Sequence, residues 1–157
     1  MGGARAKMKS LPVMNPARLC AILAQVALIF YSSTPAVAEA SQYAFSFYLH
    51  RIPLPGALGA GILQVLAQKG VHFVLFFSLG TWLYYSLRAD RLQKLFWTVG
   101  FCFLVGLGSE VFQFFVGRHA AGSDILLNTV SGTLAAALAL RSSAALTPER
   151  KCDRVSV

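Results

Sequence analysis

Four apolar runs, at residues 19–38, 71–87, 95–116 and 124–140, occupy about half of this chain and leave it little choice of environment. About 20 apolar residues make a helix long enough to cross the hydrocarbon of a bilayer, and a helix satisfies its own backbone hydrogen bonds there. The runs predict an all-α, polytopic integral membrane protein folded as a four-helix transmembrane bundle. Composition agrees, because 56% hydrophobic and 13% charged residues are too apolar and too weakly charged for an ordinary soluble domain.

A formal net charge of +8 raises nucleic acid as a partner, but the basic residues do not form a continuous face. Apart from Arg51, Lys69 and Arg118 they fall before or at the start of the first run, in the loop 88–94, and after residue 140. That pattern is the positive-inside signature, and it predicts a multi-pass cell-membrane protein whose termini and 88–94 loop are cytoplasmic. The expected partners are then membrane lipids, not nucleic acid. Cys20, Cys102 and Cys152 are not spaced for a metal site or a disulfide framework, and no H-E-x-x-H or Cys/His cluster occurs, so no metal or other cofactor is expected.

The chain divides into a basic cytoplasmic segment at 1–18, a transmembrane domain at 19–140 and a polar cytoplasmic tail at 141–157, read as disordered. The first run admits two readings. It is a membrane helix, or a secretory signal that ends at Ala36-Val37-Ala38. Either use puts the next segment on the far side of the membrane. There Tyr43, Phe45, Phe47 and Tyr48 fit a membrane interface, and Pro53 and Pro55 interrupt any helix. Leu58, Ile62, Val65 and Leu66 then recur at helical spacing, which predicts a short amphipathic helix in the first outer loop, lying on the outer face or leading into the next span.

Polar residues inside the runs carry the functional signal, because ionisable groups in hydrocarbon are costly unless paired or at work. Lys69 and His72 open the second span, Glu110 and Gln113 close the third, and Asp124 and Asn128 open the fourth. Spacings of three and four put each pair on one helix face, and all six lie toward the outer side. Glu110 sits roughly 9 Å below the end of its helix, deep enough to need a partner, a proton or water. Gly106, Ser131, Ala135 and Ala139 mark the faces where helices can approach closely, which leaves Phe112, Phe114 and Phe115 free to face lipid.

Each residue has a chemical and a structural reading. His72 suits a base, or it hydrogen-bonds Glu110 or Asn128 and pins helices together. Glu110 and Asp124 suit an acid–base pair, or they pair with Lys69 or Arg118. Arg118 can grip an anionic group such as a lipid phosphate, or it bridges to Asp124. Gln113 and Asn128 read first as interhelical amide staples. GLGSE lacks the G-x-S-x-G turn, so serine hydrolase chemistry is not expected.

Lys69-Gly70-Val71-His72-Phe73, Glu110-Val111-Phe112-Gln113, Gly117-Arg118 with Ser123-Asp124 and Asn128, and the trailing Gly132 resemble the K-x-x-H-F, E-x-x-Q, R-x(4,5)-D-x-x-x-N and Gly pattern of the VanZ-like family. That family is named for an accessory protein of glycopeptide (teicoplanin) resistance. The likeness covers 69–140 and implies four spans, a first run retained as a helix, and a place at the cell envelope. Two positions depart from the pattern: Gln68 stands where an acidic residue is expected, and Phe76 stands where a Tyr is common. The resemblance names no reaction. Two functions follow as expectations. One is an outward polar pocket that binds an envelope component, such as a lipid-linked or anionic ligand, or a partner. The other is a hydrolase or transferase on a lipid-linked or polysaccharide substrate, using His72, Glu110 and Arg118.

Overall fold

A computed structural model describes residues 15–49, 57–118 and 121–145. The basic residues before Asn15, the Pro53–Pro55 pair, His50, His119 and the tail beyond residue 145 lie outside them. The described residues form five helices and no strand: α1 (Pro16–Ser32), α2 (Pro35–Leu49), α3 (Ala57–Ser86), α4 (Arg91–Phe115) and α5 (Gly122–Ala145).

The helix ends follow local chemistry. Asn15 caps α1 by accepting from the Ala17 amide at 3.0 Å, with Pro16 in the first turn where its missing N–H costs nothing. Pro35 cannot continue a helix, so the predicted first span breaks at Ser33–Thr34 and α2 leaves α1 at 70°. At the break the Ile29 and Tyr31 carbonyls accept the Ser33 and Thr34 amides, and the hydroxyls of Ser32, Ser33 and Thr34 add further bonds to the same two carbonyls. The Ser-Ser-Thr-Pro run was a legible breaker inside the first apolar run, and it overrides the single span 19–38. In the other direction, no break separates the amphipathic stretch from the second span. Residues 58–66 are the opening turns of α3, and Ile62, Val65 and Leu66 on the predicted stripe are exposed.

By length and composition α4 and the Gly122–Ser143 part of α5 can cross a membrane, and the bent α1–α2 pair is a third candidate. α3 falls short by that measure because Gln68, Lys69 and His72 sit in the middle of its 30 residues.

α5 runs down the centre, against α3 on one side and α4 on the other, while α1 leans on α3 and α4. Ile22 and Ile29 of α1 pack with Phe76, Leu79 and Leu83 of α3 and Cys102 and Val105 of α4. Inside α1 a polar residue overlooked in the apolar run, Gln25, bonds the Leu75 carbonyl at 3.0 Å and the Ser78 hydroxyl. The α5 seam is made of small residues: Ser131, Ala135, Ala136 and Ala139 are buried, and the Ser131 hydroxyl reaches the Phe73 carbonyl. Large residues face outward. Phe114 and Phe115 are 70% and 79% exposed, as expected for lipid contact, whereas Phe112 turns in and meets Phe30 edge-on at 5.6 Å between centroids.

Three helices come closest at Gly132. A Cβ there would lie 2.5 Å from Cys102 Sγ and 2.8 Å from Cys102 Cβ on α4, and a Cβ on Gly80 of α3 would lie 2.6 Å from the Gly132 carbonyl oxygen. These approaches allow backbones to pack where lipid gives helices no hydrophobic reason to associate. Gly132→Ala is therefore expected to lower the stability of the detergent-solubilised protein by about 1–3 kcal/mol through overpacking. Gly100→Ala, at a helix position open to space, should not lower it and is expected to raise it by up to about 1 kcal/mol. Thermal unfolding followed by circular dichroism checks both.

Candidate functional site

The helix directions gather the expected polar residues at one end of the molecule. α3 runs parallel to α5 and antiparallel to α1, as three contacts show: Arg18 donates to the Tyr85 carbonyl at 2.9 Å, Tyr85 meets Ser142 at 3.0 Å, and Lys69 pairs with Asp124. The short turn between Ser86 and Arg91 sends α4 back along α3, so that Gln113 near its end lines one cavity with Lys69 and His72. Arg18, Arg88, Arg91, Lys94 and Arg141 thus share one end. Lys69, His72, Gln113, Arg118, Asp124 and Asn128 share the other, around a cavity of about 210 Å³.

The loop that closes this end begins with a backbone device. α4 stops at Val116, and Gly117 takes φ +75°, which turns the chain back so that the Gly117 amide bonds Phe114 O at 3.3 Å and the Arg118 amide bonds Gln113 O at 2.9 Å. This is the Schellman arrangement, which caps the last carbonyls and suits glycine because it lacks a Cβ. The turn throws the Arg118 side chain toward the α1–α2 corner, where Nη1 donates to the Ser33 carbonyl at 2.9 Å. Arg118 does not bridge to Asp124. Lys69 does so instead, from α3, and the Ser123 hydroxyl also reaches Asp124 Oδ1 at 3.2 Å. Asp124 lies in the first turn of α5, where the helix dipole favours a carboxylate.

Glu110 is 4% exposed and stands behind the cavity wall. Its Oε2 accepts the Ala121 amide at 2.9 Å, just ahead of α5, while Oε1 has no partner. Lys69, Arg118 and Asp124 are the charges acting on both Glu110 and His72, so these five form one electrostatic group. No cluster of His, Cys, Asp or Glu among the described residues has the makings of a metal site.

The staple reading of the amides is not realised. Asn128 is fully buried, faces Gly106 across the α4–α5 seam and lines the cavity, yet neither Nδ2 nor Oδ1 has a partner. Gln113 is buried beside it and its side chain makes no hydrogen bond to another described residue; nor does His72, which bonds neither Glu110 nor Asn128. Orphaned buried polar groups are uncommon and costly, and a cavity lined by the unpartnered Asn128 amide, with Gln113 and His72 beside it, suits water or a ligand. A second, smaller cavity of about 80 Å³ lies on the other side of His72 and Arg118, against α2. Ser33, whose carbonyl holds Arg118, was missed from sequence because a backbone acceptor leaves no trace in residue type.

If the Gly117 turn sets the loop, Gly117→Ala, which forces a Cβ into the left-handed region, should cost about 1 kcal/mol of stability. It should also loosen Arg118 from Ser33. Thermal melts check the first effect, and protection of the Arg118–Ala121 loop in hydrogen exchange checks the second.

The VanZ/LLP1 protein-family profile matches residues 17–143, a range that contains most of α1, all of α2 to α4 and nearly all of α5, and so every residue of the cavity. No curated protein and no solved structure shows a significant match to the chain. With the profile spanning well over half of its length and its helices apolar, the chain is a membrane protein that belongs to the VanZ/LLP1 family.

Proposed function

We propose that this protein crosses the cell membrane four times and uses the cavity, set near the outer face, to bind an envelope component. The observation that carries this reading is Asn128: a fully buried amide with both polar atoms unpartnered, opening on a cavity that Gln113, His72 and Arg118 also line. A merely structural amide would have found a partner in the adjacent helix, since nothing else in hydrocarbon provides one. Helix α3 counts as a span despite its polar centre, because Lys69 is paired with Asp124 and His72 lines the cavity. Basic residues at the opposite end of the molecule support an outward cavity and cytoplasmic termini. The family's link to teicoplanin resistance supports an envelope role, with glycopeptide sensitivity of the host as its readout.

A catalytic reading remains as the rival, favoured by the Glu110 Oε1 that has no partner and by a His72 that lines the cavity. Hydrolysis or transfer on a lipid-linked substrate would use Glu110 as acid or base.

Asn128→Leu separates binding from structure. It removes an unsatisfied buried amide at similar volume, so the binding reading expects stability to rise by about 1 kcal/mol or more while the envelope phenotype is lost. A fall in stability together with an unchanged phenotype per molecule would sink it. Glu110→Gln separates binding from catalysis, since the amide oxygen can still accept from Ala121. Binding expects the phenotype to persist, and catalysis expects its loss in a folded protein. For orientation, Ser123→Cys in a background without other cysteines should react with an impermeant maleimide added outside intact cells. Ala89→Cys should react only after permeabilisation, and the reverse pattern would put the cavity on the cytoplasmic side.

A further inference from the structure

The two cavities at the polar end share Gln68, His72 and Arg118 as a common wall, yet their other linings differ. The inner one, about 210 Å³, is bounded by the amides Gln113 and Asn128 and by the Lys69–Asp124 pair. The outer one, about 80 Å³, is bounded by Val37, Ala38 and Val71 with the hydroxyl-bearing Ser32 and Ser41. It lies in the angle where α2 leaves α1 at 70°, against α3. Beyond it Tyr43, Phe47 and Tyr48 of α2 are exposed, the residue types that settle at the boundary between headgroups and acyl chains.

From this two-compartment shape we infer that the ligand is an anionic amphiphile, a phosphate ester that carries hydroxyl groups on an apolar chain, and that it enters sideways from the bilayer between α2 and α3. The inference rests on the reading of the inner cavity as a binding site. Charge points to the phosphate: Asp124 is neutralised by Lys69, while Arg118 has no carboxylate in salt-bridge range among the described residues. One guanidinium nitrogen is held by the Ser33 carbonyl, which aims the fork and leaves its other donors for an anion at the threshold between the compartments. Asn128 and Gln113 each bring a donor and an acceptor, the combination that hydroxyls satisfy. A fully water-soluble ligand has no use for the apolar wall that Val37, Ala38 and Val71 give the vestibule beside α2, whereas an amphiphile needs one so that its chain never leaves hydrocarbon.

The shared chemistry has two sources in a membrane, a phospholipid such as phosphatidylglycerol and a sugar linked to a polyprenyl phosphate. The test uses the full chain in phosphatidylcholine nanodiscs, titrated separately with phosphatidylglycerol, mannosyl decaprenyl phosphate and soluble glycerol 1-phosphate, with occupancy read by native mass spectrometry. Saturable binding of either amphiphile is expected, and which of them binds identifies the source. Arg118→Gln should weaken it about tenfold through the lost charge-assisted contacts. Ala38→Trp, which fills the vestibule and leaves the inner cavity alone, should weaken it to a similar degree. Glycerol 1-phosphate should bind at least about tenfold more weakly and be indifferent to Ala38→Trp, because it does not use the vestibule. Val71→Trp, on the α3 side of the vestibule, serves if Ala38→Trp does not fold. The inference is overturned if glycerol 1-phosphate competes as well as the amphiphiles, if a folded vestibule variant binds them normally, or if neither amphiphile binds. Because the Asn128→Leu phenotype is read in the host without any of these probes, such a failure would leave the inner cavity's role standing.

Discussion

Hydrocarbon offers no hydrogen bonds, so every amide, hydroxyl and charge carried into the membrane by these helices must be answered from its own helix, from another helix or from a cavity. Hydroxyls such as Ser78, Thr81, Ser109 and Thr129 bond carbonyls one turn back on their own helix, and the longer reaches come through close approach of the helices. Gly80, Gly132 and Cys102 bring α3, α5 and α4 together backbone to backbone, and the small residues along α5 continue the seam. With the helices that close, short side chains reach across: Ser131 to Phe73, Gln25 to Leu75 and Ser78, and Lys69 to Asp124. The packing and the polar contacts are one arrangement, since neither is available at a wider helix separation.

The same constraint makes the exceptions informative. Glu110 spends one oxygen on the Ala121 amide and leaves the other unanswered, and Asn128 leaves both of its amide atoms unanswered. Three of the four buried side-chain atoms without a partner among the described residues thus belong to Glu110 and Asn128 at the polar end, and the fourth is the Thr98 hydroxyl in the opposite half of α4. A protein this small tolerates a buried, unsatisfied amide where function uses it, at a cost in stability that the tight seam below offsets.

The cavity is held open by elements far apart in sequence. Pro35 bends the first apolar run away from the bundle, Gly117 turns the chain at the end of α4, and Arg118 ties the two corners by holding the Ser33 carbonyl. Through that bond the α1–α2 corner and the α4–α5 loop become the two sides of one opening.

Much of this was legible in the residues themselves. Apolar runs of spanning length, basic residues confined to alternate ends, and polar pairs three or four apart are local patterns with local causes, and from them followed the helices, the shared polar end and the lining of the cavity. Gly106, Ser131, Ala135 and Ala139 were likewise readable as contact faces, because only small side chains let helices touch in lipid. Partner choice was not readable. Whether Asp124 meets Lys69 or Arg118, whether Asn128 staples a helix or stands open, and whether Arg118 finds a carboxylate or a backbone carbonyl depend on ångström-scale helix offsets and on acceptors common to every residue. Spacing along one helix limits which face a side chain takes, but what it meets there is settled by the rotation and register of a neighbour that is remote in the chain.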